Sequence, residues 1–173
     1  MDLHAMLNDK SVKTAEKRNK VADALKTGGI TMDDVAAMEL NDQQVGIVLE
    51  AMEAVTQSTP EVADEKWLSY AVGYIGAASN GIKREASRVV GNIAHLFPAQ
   101  LSEAIGLLIE NSKNPGTVIR WGSAYALARI ILIPDYAKSS LLDIVISLAD
   151  AEEENGVKNQ YLKGIKKAQI LRT

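Results

Sequence analysis

Three segments of this chain open on an asparagine-marked turn and then repeat one pattern: NGIKREASRVVGNIA from Asn80, NPGTVIRWGSAYALARI from Asn114 and NGVKNQYLKGIKKA from Asn155. Ile82, Ile119 and Val157 occupy one column, at steps of 37 and 38 residues. The next residue is always basic: Lys83, Arg120 and Lys158. Eight positions on, Val90, Leu127 and Ile165 form a second apolar column. Weaker copies lie upstream at NDKSVK, with Val12, and NDQQVG, with Val45. A fixed period of this length constrains the fold more than any other feature. One such unit cannot bury its own apolar face, so neighbours must stack. Removal of apolar area from water, at roughly 25 cal/mol per Å², drives the stacking.

Each unit reads as a helical hairpin. Leu101, Ala104, Ile105, Leu108 and Ile109 recur at helical spacing, as do Leu141, Leu142, Val145, Leu148 and Ala149. Val62, Leu68, Val72 and Ile75 do so with gaps. The four prolines, at 60, 98, 115 and 134, all fall where a helix can begin, because the missing N–H would be unpaired there anyway. TGG at residues 27–29 reads as a helix stop. The expected helices are 2–8, 11–26, 31–39, 42–57, 60–77, 81–96, 98–111, 115–132, 135–151 and 156–171, with no strand. Short connections make neighbours antiparallel.

The motif of an aliphatic residue, a basic residue and a small residue three positions later (Ile82-Lys83-x-x-Ala86, Ile119-Arg120-x-x-Ser123) resembles the HEAT-repeat, or armadillo-like, family. The resemblance covers about residues 60–171. The third copy departs from it, with Tyr161 in the small-residue column, as suits a terminal cap. The family implies an all-α superhelix of about five helical hairpins. It is expected as one domain over 1–173, irregular over 1–58 and regular over 59–173. Glycines 91 and 122 inside helices point to close helix approach, since glycine costs up to about 1 kcal/mol there relative to alanine.

The apolar set Ile82, Ala86, Val89, Val90 and Ile93 leaves Arg84, Arg88, Asn92 and His95 on the opposite face. The repeat carries Arg84 onto Trp121, Arg88 onto Tyr125 and then Lys163, and Asn92 onto Arg129 and then Lys167. Stacked hairpins set equivalent positions side by side. The expected contact surface is therefore Arg84, Arg88, Asn92, Trp121, Tyr125, Arg129, Lys163 and Lys167. The family resemblance places such second helices on a concave surface. Arginine beside tryptophan and tyrosine is the residue mix of binding hot spots. This points to a non-catalytic scaffold or adaptor that grips a protein partner through an acidic peptide or helix. A solvated helix face, with Trp121 and Tyr125 partly buried between repeats, is the structural alternative.

Nucleic acid is a second class of partner. Some HEAT-like proteins are glycosylases of alkylated DNA bases, which place a carboxylate near such aromatics. Here GSAYALARII, after Trp121, holds no acid, and Glu85 lies only on a flank. The net charge of −3 also opposes tight binding to phosphates. A third class is self-association through Ile47, Val48, Ala51 and Val55.

Other chemistry finds little support. There is no cysteine, and the two histidines, His4 and His95, lie far apart, so no metal site and no cofactor are expected. The acidic run Asp150, Glu152, Glu153 and Glu154 reads as a solvated connection, and the segment with Lys10, Lys13, Lys17, Arg18 and Lys20 as a mobile surface helix. The start lacks a secretory pattern and no apolar run spans a bilayer, which leaves a cytoplasmic location as the expectation.

Overall fold

The computed structural model describes residues 2–173; residue 1 of the expected 1–173 domain lies outside them. Those residues hold eleven α-helices and no strand. In chain order they are α1 (Leu3–Asn8), α2 (Thr14–Thr27), α3 (Met32–Ala36), α4 (Asp42–Ser58), α5 (Glu65–Ile75), α6 (Asn80–Ile93), α7 (Ser102–Asn111), α8 (Thr117–Ile130), α9 (Pro134–Ala137), α10 (Ser140–Ala151) and α11 (Asn155–Arg172).

Local chemistry explains the boundaries. α2 ends at Gly28, whose φ of 74° is left-handed, a conformation open to glycine because it has no Cβ. Thr31–Asp34 and Asn41–Gln44 form capping boxes on α3 and α4. Three expected helices are interrupted. Residues 60–77 split because the Asp64 carboxylate accepts from the N–H groups of Lys66 and Trp67 and so starts α5 anew. Residues 135–151 split where the Ser139 hydroxyl caps Leu141 N–H. Pro98 opens a 3-10 turn ahead of α7 rather than α7 itself.

α2, α4, α6, α8 and α11 pack side by side, each against the next, and α3, α5 and α7 form a second row against one another. The period accounts for the ladder between units. Asn111 donates to the Ile75 carbonyl, Asn92 to Thr56, Gln44 to Asn8, Tyr136 to the Pro98 carbonyl and Arg172 to the Ala137 carbonyl, at separations of 35 to 38 residues. Small residues allow close approach. A Cβ on Gly91 would sit 3.0 Å from Ala126 Cα, and one on Gly122 3.3 Å from Arg84 Cα.

The expected inner face of α6, from Ile82 to Ile93, is buried. Ile47, Val48, Ala51 and Val55 are core residues too, so the proposed self-association surface is occupied by the protein's own packing. Lys17 is likewise no part of a mobile surface, because it is buried with Nζ donating to the Leu7 carbonyl at 2.6 Å. No helix among the described residues is long and apolar enough to cross a membrane.

Candidate binding face

α6 and α8 lie in contact with their starts in register, and this brings the middle of the predicted stripe together. The Trp121 and Tyr125 rings stack with centroids 5.4 Å apart and planes 26° from parallel. The Arg88 guanidinium carbon lies 5.9 Å from the Trp121 ring and 5.8 Å from the Tyr125 ring. Arg129 covers Tyr125 at 3.5 Å, with Nη1 donating to the Tyr125 carbonyl. The result is a run of alternating cations and rings, favourable because a ring face attracts positive charge. Asn92 serves as a strut. It accepts from the Tyr125 hydroxyl at 2.6 Å and donates to Thr56 at 3.1 Å.

Tyr125 departs from the expected exposed ring. It is only 6% exposed, and burial pushes its hydroxyl up from the ordinary tyrosine range. Trp121 is the more exposed aromatic of the pair, partly buried against the core. An open cleft of about 420 Å³ lies beside it, lined by Arg84, Arg88, Thr117, Val118 and Trp121. At the other end, a depression of about 460 Å³ exposes Arg129 together with Gln57, His95 and Leu132.

Two carboxylates share this face. Glu53 comes from α4 and lies 2.7 Å from Arg88 Nη2. Glu85 is 4% exposed and pairs with Arg84 at 2.7 Å and with Arg88 at 3.2 Å. The Glu53–Arg88 contact is an ion pair, and Glu53 Oε1 and Arg88 Nε have no hydrogen-bond partner among the described residues. Burial raises the Glu53 carboxyl above its usual value, against the pull of Arg88 and with the help of Glu85. Thus Arg84 and Arg88, expected as free cations, are already neutralised. The reading of Glu85 as a flank acid misses that it is buried beneath them, and Glu53 was absent from the expected site. The repeat conceals Glu53, because a shift of one period carries it onto Val90, in the buried apolar column.

Uncompensated positive charge therefore collects farther along. Arg129, Lys163 and Lys167 form no salt bridge among the described residues, and both lysines are exposed on α11. Gly164, between them, sits directly on Ala128 of α8, which sets the lysines in the next row beyond Arg129.

Arg120 is not part of the face. Its guanidinium grips Glu152 through Nε at 3.0 Å and Nη2 at 3.2 Å, and Nη1 reaches the carbonyls of Asn114 and Pro115. The acidic run is accordingly no wholly solvated connection. Burial acts to raise the Glu152 carboxyl, but the Arg120 hydrogen bond and the Glu154 backbone N–H outweigh it and hold it low. A carboxyl lowered in the folded state stabilises above its unfolded value of 4.5 and loses that contribution as pH falls through the folded value. Glu152→Gln is expected to cost about 1 kcal/mol at pH 7 and to flatten the acid limb of the stability profile below pH 4.5. Thermal melts of both proteins from neutral to acid pH check this; parallel profiles would refute it.

No protein-family model and no curated protein matches the chain. Among solved structures, the crystal structure of an engineered protein superposes with a TM-score of 0.58 at 10% sequence identity, covering 99% of this chain and 98% of that one. The likeness is one of all-helical fold and extends over nearly the full length of both chains.

Proposed function

We propose that the chain is a non-catalytic, cytoplasmic protein-binding scaffold of the HEAT or armadillo-like superhelical kind, and that its cation–aromatic face grips an acidic segment of a partner. One observation carries the reading: Trp121 stands partly exposed in a stacked run with Arg88, Tyr125 and Arg129, and the next helix of the row, α11, carries Lys163 and Lys167 exposed and without a salt bridge. A tryptophan held rigid by its neighbours loses little entropy on binding, and the free cations steer an acidic chain toward it. The superhelical arrangement is supported by the side-by-side second helices and by side-chain bonds spaced one period apart.

Internal neutralisation of Arg84 and Arg88 favours protein over nucleic acid. A phosphate backbone rewards a long run of free cations, whereas Arg84 and Arg88 are already paired and the remaining Arg129, Lys163 and Lys167 suit only a short acidic segment. Trp121→Ala combined with Arg129→Glu is expected to weaken a partner recovered with the chain from its native cell by roughly 100-fold, while the helical circular dichroism persists. Unchanged affinity in a folded double variant overturns the proposal. Release of bases from alkylated DNA, or DNA binding that falls steeply with salt, would assign the nucleic-acid reading instead.

A further inference from the structure

We propose that the outward side of α11 is a second docking site, which takes an amphipathic helix with acidic flanks from another protein. Among the described residues, α4, α6 and α8 each have a neighbour of their own row on both sides, but α11 has only α8. Val157, Tyr161, Gly164 and Ala168 bury the near side of α11. Leu162, Lys166 and Ile170, at spacings of four, run along the side opposite. Leu162 is 48% exposed and Ile170 67%, the two most exposed large apolar side chains among the described residues. This stripe lies where a further helix of the row would continue the packing already made four times.

Charge selects the occupant. α11 contains no acid, and of Lys158, Lys163, Lys166, Lys167 and Arg172 only Arg172 is in a salt bridge, with Asp143. A second copy laid on the same stripe would bring Lys166 against Lys166. The opposite end of the row, on α2, offers exposed Ala15, Asn19 and Lys26 in place of large apolar groups. A bilayer surface calls for a broader apolar face than two side chains astride a lysine. A helix with apolar residues at spacings of three and four and glutamates alongside satisfies both the stripe and the lysines.

Lys163 and Lys167 flank both sites, but the groove on α6 and α8 uses none of Leu162, Lys166 and Ile170 and the stripe does not use Trp121, so substitutions at these unshared residues separate the two. The test uses the full chain and two fluorescein-labelled synthetic helix-forming peptides with the same leucine pattern, one flanked by glutamate and one by lysine. Anisotropy titrations are expected to show the glutamate peptide bound at least ~10-fold more tightly. Ile170→Glu and Leu162→Glu, both at exposed positions, should each weaken it by about 10-fold. Trp121→Ala should leave it unchanged. Equal affinity for the two peptides, indifference to Ile170→Glu, or loss with Trp121→Ala overturns the proposal. So does an Ile170-dependent rise in sedimenting mass with concentration, which would make a second copy the occupant. Ile170-dependent cosedimentation with phosphatidylglycerol vesicles would give the surface to a membrane.

Discussion

Gly164→Ala will destabilise the protein by about 3 kcal/mol, the upper part of the range for overpacking a close contact. At this position α11 rests on the backbone of α8. An added methyl would collide with the Ala128 carbonyl, its carbonyl carbon 2.9 Å and its Cα 3.0 Å away. Backbone in the middle of a helix cannot rotate aside as a side chain can, so the two helices must part. Parting them loosens Val157, Tyr161, Ile165 and Ala168, all buried. The alanine does gain helix propensity, but only about 1 kcal/mol. Gly106→Ala on α7 isolates that gain, because a Cβ there meets nothing within 4 Å. The two substitutions are chemically identical and should have opposite signs. Gly106→Ala should raise the melting temperature slightly, and Gly164→Ala should lower it by roughly 6–12 °C. Equal effects in a thermal melt would mean that the α8–α11 contact is looser than the structure has it.

How far such contacts can be read beforehand depends on which part of the physics leaves a mark in one stretch of chain. Helical period and the Thr27–Gly29 stop are local, and they placed most helices within a few residues; the prolines did so less well, since Pro60 and Pro98 open 3-10 turns, Pro115 precedes the Gly116 cap of α8, and only Pro134 begins an α-helix. The repeat is local as well, since it needs only two segments compared. It correctly set Arg88 beside Tyr125 and Asn92 near Arg129. Breaks within helices were harder to see, because Asp64 and Ser139 act by capping, which competes with a continuing apolar pattern. The charge of the face was hardest. Arg88 pairs with Glu85, three residues before it on the same helix, and also with Glu53, 35 residues away on another. The eye that follows apolar columns passes over a glutamate in an otherwise buried helix. Tyr125 misled for a related reason: its hydroxyl has a partner in Asn92, so it can be buried where an unpartnered hydroxyl would be costly.

Arg88 therefore ties the face to the fold, and Arg88→Ala is expected to cost about 3 kcal/mol at pH 7, the scale for breaking a buried ion pair from one side. The variant leaves Glu53 with no cation in contact, while Glu85 retains Arg84. It also strips a guanidinium from the Trp121 and Tyr125 rings. The pH dependence identifies the cause. The Glu53 carboxyl is already raised by burial, and loss of Arg88 removes the main influence that lowers it. A carboxyl raised in the folded state binds its proton more tightly there than in the unfolded chain. Its stabilising effect is complete below the unfolded value of 4.5 and disappears as pH rises through the folded value. The deficit of Arg88→Ala relative to the parent should accordingly be small near pH 4.5 and grow toward neutrality. Adding Glu53→Gln should recover much of the loss at pH 7, because the amide carries no charge to desolvate. Urea unfolding of the four proteins of this cycle, at acid and neutral pH, measures the coupling directly. If the Arg88→Ala deficit is the same at both pH values and Glu53→Gln restores nothing, the cost is lost packing on the rings rather than an orphaned carboxylate. Arg88 would then be free to meet a partner's acid as well as its own.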